Sequence, residues 1–146
     1  MTEPTLPMSS AQQSMFFDSQ LRQAADYHVM IDLHTEHLDP SRLVQAVRTT
    51  MLEQPALRAA VVNGASGPVY VVADSPEVPV SHHDLVGAED DVEEIFRSAR
   101  STPFQLNTAP LFRVVTAHLP DGDRLLVVCQ DRKSTRLNSS HLELSR

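Results

Sequence analysis

Seven histidines and one cysteine are the residues of this chain best suited to proton transfer, nucleophilic attack or metal ligation. An imidazole ionises near neutral pH, so it can serve as a general base or offer a metal its lone pair. The densest grouping is His82-His83-Asp84-Leu85. Adjacent residues of an extended segment point to opposite faces, which argues against a metal ion shared by His82 and His83. Cys129 stands alone, so no internal disulfide and no multi-cysteine metal site can form. Within an apolar run it reads as a small buried hydrophobe. His28, His34, His37 and His118 fall on strand-like segments or their ends and read as structural or exposed. His141 lies in a polar closing stretch with no motif around it. The expectation is therefore no bound metal, no directly bound cofactor and no catalytic residue among these groups.

The elements that position these residues follow from local patterns. Ser10 with Gln13 three residues later has the form of a capping box, opening a short helix with Ala11, Met15, Phe16 and Leu21 on its apolar side. Tyr27, Val29, Ile31 and Leu33 alternate with His28, Met30, Asp32 and His34, the period of a half-buried strand. Asp39 is a good N-cap and Pro40 a good first helical residue. Leu38 can pack on Leu43 as a staple, and Leu43, Val47 and Met51 give that helix one apolar face, widened by Val44 and Ala46. Pro55 ends it, because its ring blocks the hydrogen-bond ladder. Apolar runs at 57–62 and 69–72 flank a loop containing Asn63, Gly64 and Gly67 and predict a hairpin.

Pro76 and Pro79 interrupt the chain before a second amphipathic helix. Val92, Ile95, Phe96 and Ala99 mark its buried side. Acidic residues 90, 91, 93 and 94 stand at its start and Arg97 and Arg100 at its end, as the helix dipole favours. Residues 111–119 and 124–129 read as strands around the turn Pro120-Asp121-Gly122-Asp123. Short turns between neighbouring strands demand antiparallel pairs, so the expected fold class is α/β, a mixed sheet with helices packed on it.

Composition narrows the function. A chain of 146 residues is long enough for one domain with a substantial core. The formal charge of −7 argues against a nucleic-acid surface, which needs clustered cations. No apolar run is long enough to span a bilayer, and the first residues lack a secretory pattern, so a cytoplasmic protein is expected. Residues 1–130 hold 8 arginines, no lysine and 17 acidic residues, whereas the only lysine, Lys133, lies in the closing segment. That shift in composition divides the chain into 1–130 and 131–146.

Four segments in order carry a more specific signal. Leu6-Pro7-Met8-Ser9-Ser10-Ala11-Gln12-Gln13 is followed by Gln54-Pro55-Ala56-Leu57-Arg58, then Thr102-Pro103-Phe104-Gln105-Leu106, then Ala109-Pro110-Leu111-Phe112-Arg113. Together they resemble the opening of a condensation domain of nonribosomal peptide synthetases. The resemblance covers about residues 6–129 and implies the N-terminal lobe of the chloramphenicol-acetyltransferase-like fold. Whole domains of that family have two such lobes with a channel between them.

In that family the last strand leads into an H-H-x-x-x-D-G motif, whose histidine helps an amine attack a thioester carried on a phosphopantetheine arm. Here the corresponding strand runs into Gln130-Asp131-Arg132-Lys133, so the motif is absent. His82-His83-Asp84 is not a substitute: Gly87 and Ala88 stand where the motif needs Asp and Gly, and family members have a short strand ending in Asp-Leu there. Arg58 matches the second arginine of R-H-E-x-L-R-T, while Glu53 replaces the first, which in the family pairs with the motif's aspartate. Arg58 is either a brace near the channel or a surface arginine. Ser10 and Gln12 match the architectural S-x-A-Q opening, and Arg113 the P-L-x-R segment.

The resemblance implies an incomplete acyltransferase, inactive alone, whose partners are carrier domains and a second lobe. Alternatives are a relative acting on polyketide or alcohol acceptors, or a non-catalytic module that docks carrier proteins. A lone lobe is also expected to expose an apolar face. The segment 131–146 resembles a tail found at the ends of unrelated proteins, as translated adapter DNA gives. It is expected to be disordered or artefactual, or else a divergent natural end.

Overall fold

The computed structural model describes residues 5, 6, 8, 10, 12, 13, 28–65 and 67–130. In chain order its elements are strands β1 (Thr5–Leu6) and β2 (His28–Thr35), helix α1 (Pro40–Glu53), strands β3 (Ala59–Gly64), β4 (Gly67–Val72) and β5 (Val80–Asp84), helix α2 (Val92–Ser101), and strands β6 (Phe112–Leu119) and β7 (Gly122–Gln130). Ser10, Gln12 and Gln13 are also helical. Ser10 is itself helical, whereas a Ser10–Gln13 capping box requires it to stand just outside the helix. Ala11, Met15, Phe16, Leu21, Tyr27 and the segment 131–146 lie outside the described residues.

Both helices start and stop where their local chemistry dictates. The Asp39 carboxylate accepts from the Ser41 and Arg42 amides at 3.0 and 3.4 Å, satisfying N–H groups that have no partner within α1. At the other end Gln54 turns extended ahead of Pro55. Before α2, residues Glu89–Asp91 form a 3₁₀ turn rather than the α-helical start expected at Asp90. The α-helix proper then runs from Val92 to Ser101.

The strands divide between two sheets instead of forming one. A four-stranded mixed sheet has the order β2-β7-β6-β5, with β5 parallel to β6 and the other pairs antiparallel. A separate antiparallel sheet has the order β1-β4-β3. The expected β3–β4 hairpin pairs with itself through Gly64 and Gly67, and the Val61 amide is taken by the Leu106 carbonyl at 2.7 Å. That bond to a loop leaves the hairpin's edge unavailable to the larger sheet.

β7 is the strand with most to bury. Leu126 and Val128 face α2 and pack with Phe96, Val92, Val115 and Ala117. Leu125, Val127 and Cys129 face the other way, toward Met51, Val47 and Leu43 of α1 and Phe112 and Val114 of β6. The small sheet has its own core of Ala59, Val61, Tyr70, Val72 and Leu111. Phe104 packs against both this core and that of α2, joining the two sheets. No helix among the described residues is long and apolar enough to cross a membrane.

β2 departs from expectation. It forms at the predicted place but lies at the sheet's edge, and Val29, Ile31 and Leu33 are 49%, 53% and 48% exposed rather than half-buried on one side. Alternation is present, yet α1 covers β6 and β7 and not this strand.

The centre of the α2 core sets the expected cost of disruption. Phe96 is fully buried, and truncating such a ring costs about 3–5 kcal/mol through lost transfer energy and a residual cavity. Phe96→Ala is therefore expected to lower stability by that amount in urea unfolding. Leu52→Ala, at a side chain 60% exposed, is expected to change it by less than about 0.5 kcal/mol.

Candidate functional site

The middle of β7 is apolar on both faces, and polar residues gather at each of its ends. At the C-terminal end, His28 of β2 stands opposite Gln130, and Arg113 of β6 opposite Val128. His28 donates from Nδ1 to the Arg100 carbonyl at 2.8 Å. Its ring meets Phe104 edge-on, with centroids 5.0 Å apart. Arg113 donates from Nη1 to the carbonyls of Ala99 and Thr102 at 2.5 and 2.8 Å, and its guanidinium lies 3.9 Å over the Phe104 ring. The loop bearing Phe104 thus ties β2, β6 and the last turn of α2 together.

Electrostatics at this end follow from burial. Desolvation pulls the His28 imidazole below its ordinary value; the Arg100 carbonyl opposes this and the Arg113 charge adds to it. Burial likewise lowers the Arg113 guanidinium from the usual arginine value. With Nδ1 carrying the hydrogen, His28 Nε2 is left as an acceptor. It and Gln130 Oε1 are buried without a hydrogen-bond partner among the described residues.

The residues singled out in the sequence do not converge. Arg58 donates from Nε to the Met51 carbonyl and from Nη1 to the Ala73 carbonyl, both at 2.8 Å. It is half-buried and clasps the end of α1, whereas Arg113 clasps the end of α2. Ser10 is exposed and Gln12 half-buried in the N-terminal helical segment. His82 and His83 lie on the edge strand β5 and point to opposite faces. His82 Nδ1 and Thr116 Oγ1 share a hydrogen bond of 2.6 Å. His83 instead lines an open groove of about 550 Å³ between β5 and α2, with Ser81, Glu94, Ser98 and Arg113.

Two polar clusters escaped the sequence reading. Arg124, buried in the face toward α2, bonds Glu93 at 2.7 Å and Asp32 at 2.8 Å, and its guanidinium lies 4.7 Å over the Phe96 ring. Burial alone weakens that cation, but the two carboxylates outweigh it and hold it more firmly protonated than usual. At the N-terminal end of β7, Asp123 accepts from His37 Nδ1 at 2.9 Å, His118 Nδ1 at 2.8 Å and the Leu38 amide at 2.8 Å. Burial alone raises the Asp123 carboxyl, yet these three donors hold it below the usual carboxylate range. Its cover is thin, since the His37 and His118 side chains are 51% and 34% exposed. The hairpin turn would have placed His118 opposite Asp123 from sequence alone; nothing local points to His37.

A mixed sheet between two helices, with a small antiparallel sheet beside it, is the N-terminal lobe of the chloramphenicol-acetyltransferase-like sandwich. Solved relatives support this. The first condensation domain of the calcium-dependent antibiotic synthetase, in complex with a substrate analogue, superposes with a TM-score of 0.77 at 21% identity. The starter condensation domain of rhizomide synthetase RzmA does so at 0.74 and 19%. The match covers 89% and 87% of this chain and 34% and 32% of those chains.

The chain belongs to the condensation-domain family: the profile described as "Condensation domain" matches residues 2–129. It is 30% identical over 131 residues to phosphinothricin tripeptide synthetase PhsB of Streptomyces viridochromogenes, and 30% identical over 124 residues to surfactin synthase subunit 2 of Bacillus subtilis. These matches cover 85% and 84% of the chain but only 11% and 3% of the two synthetases.

His28 gives this end of the sheet a pH signature. The folded state favours its neutral form, so an unfolded chain takes up a proton below the ordinary value of 6.5 while the folded chain resists. The contribution is full above 6.5 and is lost as pH falls below it. In thermal unfolding between pH 7.5 and 5, the wild-type midpoint is expected to fall more steeply than that of His28→Asn. Parallel profiles for the two proteins would refute this.

Proposed function

We propose that residues 1–130 are the N-terminal lobe of a nonribosomal peptide synthetase condensation domain acting in the cytoplasm. Joined to the H-H-x-x-x-D-G segment and a second lobe, it serves amide formation between groups delivered on the phosphopantetheine arms of carrier domains. An amine attacks the thioester carbonyl, a C–N bond forms as the C–S bond breaks, and a histidine takes the amine's proton and passes it to the departing thiolate, which leaves as the thiol. One observation carries the reading: the family match runs to residue 129, within β7, the strand that in complete members leads into the catalytic motif.

A scaffold role for the chain by itself is favoured by the sequence after β7, which lacks the H-H-x-x-x-D-G motif. The Nδ1 bonds of His28, His37, His82 and His118 orient those rings. The Arg58 and Arg113 guanidiniums bond backbone carbonyls.

Two measurements test this reading. The purified 146-residue chain, mixed with carrier proteins loaded with aminoacyl thioesters, is expected to yield no amide product by mass spectrometry; turnover would overturn the scaffold role. Genomic DNA beyond the codon for Gln130 is expected to encode H-H-x-x-x-D-G within a few residues. Its absence there would remove the link to a working condensation domain.

A further inference from the structure

The end of β7 remote from Gln130 carries a cluster that the proposed reaction does not use. Asp123 and Gln130 are seven residues apart on one strand, about 24 Å at an extended rise. The cluster therefore lies at the opposite end of β7 from the candidate site. Three elements meet in it: His37 from the loop before α1, His118 from the end of β6, and Asp123 from the start of β7. One ligand-capable atom from each lies within 4.8 Å of the other two.

We propose that His37, His118 and Asp123 form a binding site for a divalent ion of the zinc class. Two imidazole nitrogens and a carboxylate oxygen are the ligand types that such an ion takes, and three protein ligands leave a fourth position for water. Both Nδ1 atoms already aim at the same oxygen, Asp123 Oδ1, at 2.9 and 2.8 Å. Ligands of a tetrahedral ion about 2.0–2.1 Å away stand about 3.3 Å from one another, so each imidazole nitrogen must back away from Asp123 Oδ1 by about half an ångström while the two nitrogens, within 4.8 Å of each other, draw together. His37 can supply that movement, being a half-exposed side chain on a loop.

The surroundings also suit a metal. Asp123 Oδ2 accepts from the Leu38 amide at 2.8 Å, which fixes the carboxylate's orientation and leaves Oδ1 as the ligand. The exposed edges of His37 and His118 give the ion a path from solvent. The imidazole centroids lie 4.4 Å apart with their planes tilted by 48°, and both Nδ1 atoms meet Asp123 Oδ1. The ion replaces those two hydrogen-bonding protons. It then pins the loop before α1 to the β6–β7 hairpin, a stabilising role distinct from acyl transfer.

Chelator-treated 146-residue chain titrated with zinc chloride in a calorimeter is expected to bind one ion, with magnesium chloride giving no comparable heat. His37→Ala, whose folding is checked by circular dichroism, is expected to weaken zinc binding by at least the roughly tenfold that loss of even an outer-shell partner costs. His118→Gln should do the same. A measurement without substitution guards against misfolded variants: nitrogen NMR of the imidazoles is expected to show zinc on Nδ1 of both His37 and His118. Absence of zinc binding at millimolar concentration, unchanged affinity in both variants, or coordination by other histidines would each overturn the proposal.

Discussion

A strand that buries both faces at once is the constraint from which the rest of this lobe follows. β7 sends Leu126 and Val128 to one side and Leu125, Val127 and Cys129 to the other. Neither side can be left to solvent, so a helix must cover each, and α1 and α2 take those places. Its backbone is also paired on both edges, with β2 and β6, as buried N–H and C=O groups require. Polar chemistry is thereby driven off the middle of the strand and onto its ends.

Those ends differ in kind. At Asp123 the acceptor is matched by three donors, two from the loop before α1 and one from β6. At Gln130 the neighbouring acceptors, His28 Nε2 and Gln130 Oε1, have no described donor, while Arg113 and Phe104 hold the surrounding loop in place. The arginines that look functional by type are spent on architecture. The last carbonyls of a helix have no intrahelical partner and carry partial negative charge. Arg58 meets the Met51 carbonyl near the end of α1, and Arg113 meets the Ala99 and Thr102 carbonyls at the end of α2.

What could be read in the sequence was what local chemistry decides. Asp39, Pro40 and Pro55 fix α1 within a stretch of seventeen residues, as expected, and the expected hairpin joins β6 to β7, although its turn is tighter than Pro120–Asp123 and β7 begins at Gly122 rather than Arg124. Gly122 shows why that turn tolerates no other residue: at φ +146°, a Cβ would sit 2.6 Å from the Thr35 carbonyl oxygen. The split into two sheets, the exposure of β2 and the polar clusters were not legible, because each depends on partners distant in the chain. Arg124 reaches Asp32 across 92 positions and His37 reaches Asp123 across 86. Alternating hydrophobicity reports that a strand could bury one face; it carries no information on whether another element arrives to cover it.

Family resemblance worked where local patterns failed because its segments coincide with the joints of the fold. Phe104, from the Pro103-Phe104-Gln105-Leu106 stretch, packs into both cores, while the Leu106 carbonyl takes the Val61 amide. Arg113, from the next stretch, stacks on Phe104 and closes α2. Changing either residue disturbs two sheets and a helix together, so their joint presence is a stronger constraint than any single apolar position. A joint of this kind specifies the lobe without specifying a reaction: its guanidinium and its aromatic face are consumed in holding the elements together. Phe104 and Arg113 thus make the family recognisable through the packing they hold together.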